Sequence, residues 1–161
     1  MDQTSGSPQV LVVDDDDGIR ECLCELLAIE RYAPIGCKSG EAAWMRLRSG
    51  LRPSVMLVDL ALQRMSGSEL LGLLRATDWG QRIPVVLFSG WHRPERFADQ
   101  ADVVLGKGAE GTSIIRTVDR LARLGRPARA AGSPLPERRP PHRAEAAAQQ
   151  STITSLVAAA S

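Results

Sequence analysis

The sequence predicts an α/β fold built on a doubly wound, five-stranded parallel sheet with helices on both faces. Three observations carry that expectation. Short apolar runs alternate with stretches of helical periodicity between residues 9 and 125, the pattern of strands joined by right-handed helical crossovers. None of the runs alternates apolar with polar residues, as a half-exposed sheet would. Each run except the second ends at or next to a polar residue, and such sheets carry their chemistry at the carboxyl ends of the strands.

The first strand is Val10-Leu11-Val12-Val13, which stops at Asp14-Asp15-Asp16-Asp17-Gly18. Ile19, Cys22, Leu23, Leu26 and Leu27 then recur at helical spacing and make one apolar stripe. Asp16 and Asp17 read as acids favoured at the start of that helix by its macrodipole. Tyr32 to Gly36 is a short second strand. Ser39 caps a helix that carries Ala43, Trp44 and Leu47. Gly50 and Pro53 break the chain before Val55-Met56-Leu57-Val58, the third strand, which ends at Asp59.

A loop from Leu60 to Ser66 leads to a helix with Leu70, Leu71 and Leu74 on its apolar side. The fourth strand is Ile83 to Phe88, ending at Ser89. The stretch with Pro94 and Phe97 has room for a helix of only about two turns. Val103-Val104-Leu105 is the fifth strand, just before Lys107. Ile114, Ile115, Val118, Leu121 and Ala122 mark a last helix, with Arg116, Arg120 and Arg123 elsewhere on its surface.

Charge divides the chain in two. Lys plus Arg is 20 and Asp plus Glu is 19, a formal net charge of +1, which excludes the strongly basic footprint of a nucleic-acid binder. Residues 126–161 hold five Arg against two acids and half of the ten prolines. The expected organisation is a flexible N-terminus (1–8), one domain (9–125) and a disordered Pro/Arg/Ala-rich tail (126–161). Cys22, Cys24 and Cys37 form no disulfide framework and read as small, half-buried apolar residues. There is no basic-then-apolar leader at Met1–Ser7. No apolar run reaches the roughly 20 residues of a membrane span. A cytoplasmic protein with reduced thiols and no membrane contact is expected.

The polar residues at the strand ends are Asp14, Asp15, Asp59, Ser89 and Lys107. Three carboxylates at one edge repel each other unless a cation joins them. Hard oxygen ligands, few in number, suit Mg²⁺. A carboxylate beside Mg²⁺, with a hydroxyl and an ammonium nearby, is what an acyl-phosphate site requires: the carboxylate attacks phosphorus and the positive groups neutralise the equatorial oxygens.

Over about Val10 to Leu124 the chain resembles the receiver domain of two-component response regulators. Val12-Val13-Asp14-Asp15-Asp16 resembles that family's acidic pair. Asp59-Leu60 with Met65 and Gly67 resembles its phosphoacceptor loop. Pro84 to Gly90, through Ser89, resembles the strand that ends in the Ser/Thr switch residue, and Lys107 resembles the family lysine. The resemblance implies the flavodoxin-like strand order 2-1-3-4-5. It also implies Asp59 as the residue phosphorylated by a histidine kinase or histidine phosphotransfer protein. Mg²⁺ would be bound by Asp15, Asp59 and the Ala61 carbonyl, with Asp14 acting through water. Ser89 would bond the phosphoryl group and Lys107 would pair with it, while Gly90 leaves room for the donor. Trp91 resembles a position that controls access of water to the acyl phosphate, though covering a short helix accounts for it equally. His92 reads as a solvent-facing loop residue.

Four departures accompany the match. Leu62-Gln63-Arg64 replaces the usual loop proline, predicting a less rigid loop. Gly108 replaces a proline that usually follows the lysine in a cis bond. A non-proline cis bond costs ~3–4 kcal/mol, so either a trans peptide with Lys107 re-aimed or a strained bond is expected. Val104 stands where an aromatic is usual, and Ser89 to Lys107 is short.

The expected function is a single-domain response regulator that accepts a phosphoryl group on Asp59 and signals through an output protein in another chain, as a monomer or a phosphorylation-dependent dimer. The alternative is a pseudo-receiver that binds partners without phosphotransfer. An enzyme turning over small phosphate esters is not expected, because Ala61 occupies the place of the second acid that such hydrolases use. A dinucleotide site is not expected either, because the first strand–helix turn is acidic, not glycine-rich, and would repel a pyrophosphate.

Overall fold

The computed structural model describes residues 6–90 and 100–126. In chain order the elements are β1 (Gln9–Val13), α1 (Asp17–Ile29), β2 (Ala33–Cys37), α2 (Gly40–Arg48), β3 (Val55–Asp59), α3 (Gly67–Arg75), a 3₁₀ turn (Gly80–Arg82), β4 (Val85–Ser89), β5 (Val103–Gly106) and α4 (Gly111–Leu124). All neighbouring strands pair in parallel, in the order β2-β1-β3-β4-β5. The short helix expected before Gln100, with Trp91, His92, Pro94 and Phe97, lies outside the described residues, as does the tail from Pro127 onward.

Alternate residues of each strand face opposite sides of the sheet, so continuously apolar strands supply two cores. Leu11, Val13, Met56, Val58, Val85 and Leu87 pack under Ala43 and Leu47 of α2 and Leu70, Leu71 and Leu74 of α3. Val10, Val12, Val55, Leu57, Val86 and Phe88 pack under Leu23 and Leu27 of α1 and Ile114, Val118 and Leu121 of α4. Each leucine buried this completely contributes about 2 kcal/mol. The helices that cover these cores begin on capped turns: Asp16 accepts from the Ile19 amide and Ser39 from the Ala42 amide. Ser66 and Glu69 form a reciprocal capping box on α3, which the spacing Ser66-Gly67-Ser68-Glu69 signals.

Two strands begin later than expected. β2 runs one residue later, because Tyr32 closes α1 through its amide to the Leu27 carbonyl. β4 starts at Val85, since Ile83 serves as the C-cap of the 3₁₀ turn and Pro84 has no amide to donate.

The amino-terminal edge of the sheet is fastened by charge. Arg75 donates to the carbonyls of Gln100 (3.1 Å), Gly80 (2.7 Å) and Ile83 (2.8 Å) and to Asp102 Oδ2 (3.2 Å). Asp102, whose side chain is fully buried, also accepts from the Val85 amide at 2.9 Å. Its other oxygen accepts from Arg126 Nε at 2.9 Å, and Arg126 Nη1 reaches the Gln81 carbonyl. Composition assigns Arg126 to the tail, but its side chain belongs to the folded domain. The oxygens of a buried carboxylate need donors, and only the tertiary fold brings Arg126 to Asp102. Replacing Arg126 with Gln is expected to cost about 2 kcal/mol, read as a lower midpoint in urea unfolding with an unchanged slope.

Candidate functional site

The register of the sheet sets the site. Val13 pairs with Cys37 and Val58, Asp59 with Phe88, and Ser89 with Gly106. The carboxyl ends of β1, β3, β4 and β5 therefore lie within two residues of one another, and the residues at and just after them share one edge. Asp14 continues β1 by donating its amide to the Cys37 carbonyl at 3.1 Å. Asp59 and Ser89 are the last residues of β3 and β4. Lys107 follows β5, with its amide 3.3 Å from the Ser89 carbonyl.

Asp14, Asp59 and Ser89 are buried, at 2%, 1% and 4% exposure. Asp14, Asp15 and Asp59 each offer a carboxylate oxygen, and these oxygens all lie within 4.8 Å of one another. Lys107 Nζ donates to Asp59 Oδ2 at 2.7 Å, and the Ala61 amide donates to Asp59 Oδ1 at 3.0 Å. The Asp16 amide donates to Asp14 Oδ1 at 2.9 Å. The sequence-predicted residues Asp14, Asp15, Asp59, Ala61, Ser89 and Lys107 thus come together at one end of the sheet. Among them Ala61 contributes its amide to Asp59.

Electrostatics follow from that crowding. Burial, reinforced by the charge of Asp59, pushes the Asp14 carboxyl up to about 7. For Lys107, burial works against the charged form. The Asp59 charge, its hydrogen bond, and the fields of Asp14 and Asp15 outweigh that effect and leave the ammonium's pKa raised. The donor set fits a divalent cation by its own chemistry. Three hard oxygens converge, and burial together with the neighbouring Asp59 charge raises the proton affinity of one of them.

Gly108 put the Lys107 geometry in question, and neither expected alternative holds. No cis peptide bond occurs among the described residues, so Gly108 follows a trans bond. Lys107 is nevertheless not re-aimed, since its ammonium sits on Asp59. The Ala109 amide closes a turn onto the Gly106 carbonyl at 2.9 Å, which presents Lys107 inward. The loop after Asp59 is held without proline: Leu62 is buried at 7% exposure in the core under α2 and α3. Gly67 is the other anchor, because a Cβ there would meet the Asp59 carbonyl oxygen at 2.4 Å. Only glycine lets α3 begin so close to the site.

A doubly wound parallel sheet that gathers three aspartates, a hydroxyl and an ammonium at its carboxyl edge defines the receiver class of two-component signalling domains. The chain belongs to the response regulator receiver domain family, whose sequence model matches residues 10–114. It is 36% identical over 98 residues to the DNA-binding response regulator MtrA of Mycolicibacterium smegmatis, a match that covers 61% of this chain and 39% of that protein. It is 33% identical over 103 residues to a protein-glutamate methylesterase/protein-glutamine glutaminase of Nocardioides, covering 63% of this chain and 27% of the relative. The chain therefore spans well under half the length of these curated relatives. Among solved structures, the response regulator TrrA of Thermotoga maritima, in complex with Mg²⁺–BeF, superposes with a TM-score of 0.65 at 27% identity. That match covers 71% of this chain and 98% of TrrA.

The Asp14 shift has a testable consequence for the metal-free protein. Below about pH 4 Asp14 is neutral whether folded or unfolded. Between 3.8 and about 7 the unfolded chain ionises while the folded chain keeps its proton, so this residue lowers stability as pH rises, and the loss levels off above 7. Thermal melts in EDTA are expected to fall across that window. Adding Mg²⁺ is expected to raise the melting temperature more at pH 8 than at pH 5.

Proposed function

We propose that this domain accepts a phosphoryl group on Asp59, in a Mg²⁺-dependent reaction, from the phosphohistidine of a kinase or phosphotransfer protein. The observation that carries this reading is the 2.7 Å contact of Lys107 Nζ with Asp59 Oδ2 at an edge where Asp14 and Asp15 converge. An ammonium already seated on the acceptor carboxylate is placed to follow the phosphoryl oxygens once that oxygen bonds phosphorus.

In the transfer, an Asp59 carboxylate oxygen forms the new P–O bond as the P–N bond to the donor imidazole breaks, and the donor nitrogen keeps the electron pair. The Ala61 amide fixes the rotation of the carboxylate by holding Oδ1. Lys107 neutralises charge on the transferred group, and the Ser89 hydroxyl donates to one of its oxygens. Asp14, Asp15 and Asp59, with the Ala61 carbonyl, would hold Mg²⁺, which when bound supplies the positive charge that lets an anionic donor approach three carboxylates. The complex of TrrA with Mg²⁺–BeF supports this assignment by family likeness.

The phosphorylated domain passes its signal to a protein partner, and we place it in the cytoplasm. No helix among the described residues is long and apolar enough to cross a membrane.

Incubation with acetyl phosphate and Mg²⁺ is expected to add one phosphoryl group by intact mass, with none added in EDTA or in Asp59→Asn. Lys107→Ala is expected to slow labelling by about 10²-fold or more, the scale of losing one preorganised charge contact. Absence of any adduct with acetyl phosphate or a phosphohistidine donor would instead favour partner binding without phosphotransfer.

A further inference from the structure

Two residues break local rules, and a single contact accounts for both. Arg20 is the fourth residue of α1, close to the end where the helix macrodipole disfavours a cation. Gly36 lies within β2, where glycine gives up packing and backbone entropy. The Arg20 stem crosses β2 at Gly36: a Cβ there would lie 3.3 Å from Arg20 Cδ and 3.4 Å from Cγ. The guanidinium so delivered donates from Nη1 to the Asp14 carbonyl at 2.9 Å and from Nη2 to Asp17. Its side chain is 15% exposed.

We infer that Arg20 is a positioning residue for the acidic site and that Gly36 is the gap through which it reaches. The hydrogen bond to the Asp14 carbonyl fixes the Asp14–Asp15 peptide from behind. That orientation, together with the Asp16 amide on Asp14 Oδ1, turns the Asp15 carboxylate toward Asp14 and Asp59. Arg20 touches neither the acceptor nor the phosphoryl group. Groups that orient metal ligands from outside the ligand set act in this way. The inference rests on the reading of this edge as a Mg²⁺-dependent phosphoacceptor site.

Positioning and simple proximity predict opposite signs. A nearby cation that did nothing else would repel Mg²⁺, so its removal would tighten binding; a residue that orients the ligands weakens binding when lost. The probe is Mg²⁺ alone, titrated calorimetrically into the full chain well below its unfolding transition. Arg20→Gln is expected to weaken Mg²⁺ binding about tenfold. Gly36→Ala keeps the charge but crowds the stem, and is expected to weaken binding less, in the same direction. The double variant is expected to bind no more weakly than Arg20→Gln alone, as two changes to one contact should. Unchanged or tighter binding in Arg20→Gln overturns the inference. If Arg20→Gln fails to fold, Gly36→Ala decides alone: weaker binding supports the inference and unchanged binding overturns it. Wild type that binds Mg²⁺ yet takes no phosphoryl group refutes the phosphoacceptor reading while the titration still reports on Arg20. Wild type that binds no Mg²⁺ overturns both.

Discussion

Three carboxylates held within a few ångströms, two of them buried, are the constraint around which the carboxyl edge of this sheet is arranged. Left alone they would push the edge apart or take up protons. The fold answers with one ammonium, Lys107 on Asp59, and with a proton affinity at Asp14 raised into the neutral range. Neither answer is complete, and the incompleteness gives the site its chemistry. An edge still short of positive charge favours a divalent cation, and it already holds an ammonium 2.7 Å from an Asp59 oxygen.

The opposite edge shows what a completed polar cluster looks like. Asp102 has the Val85 amide and Arg75 on one oxygen and Arg126 on the other. Arg75 spends its remaining donors on three backbone carbonyls. This network fastens the amino-terminal ends of β4 and β5, the two strands whose other ends carry Ser89 and present Lys107. Both edges use buried aspartates. One closes the structure, and the other keeps its charge available to a ligand.

The departures from the family pattern concern how the site is held more than what it contains. A trans peptide before Gly108 still delivers Lys107, because the backbone is fixed on both sides by Ser89 and by the turn to Ala109. Leu62 anchors the loop after Asp59 by burial in place of a proline. Gly67 admits α3 against the Asp59 carbonyl. The same side chains can therefore be presented by different local devices, provided that strand register brings the strand ends together.

By itself the sequence determined the fold class, the five strands and the acidic edge. Continuous apolar runs specify a sheet covered on both faces, and strand ends marked by Asp14, Asp59, Ser89 and Lys107 can be read one strand at a time. It did not determine which groups touch. The Lys107–Asp59 pair spans 48 positions and Arg126–Asp102 spans 24, and no local pattern encodes contacts that exist only after strands align. Composition placed Arg126 in the tail, and the tertiary fold drew it into the domain because a buried carboxylate required a second cation. Gly36 in a strand and Arg20 near a helix start go against local preference, and the contact that explains both exists only where β2 and α1 pack. What the chain could make locally was legible, and what its charges required of one another was decided only in three dimensions.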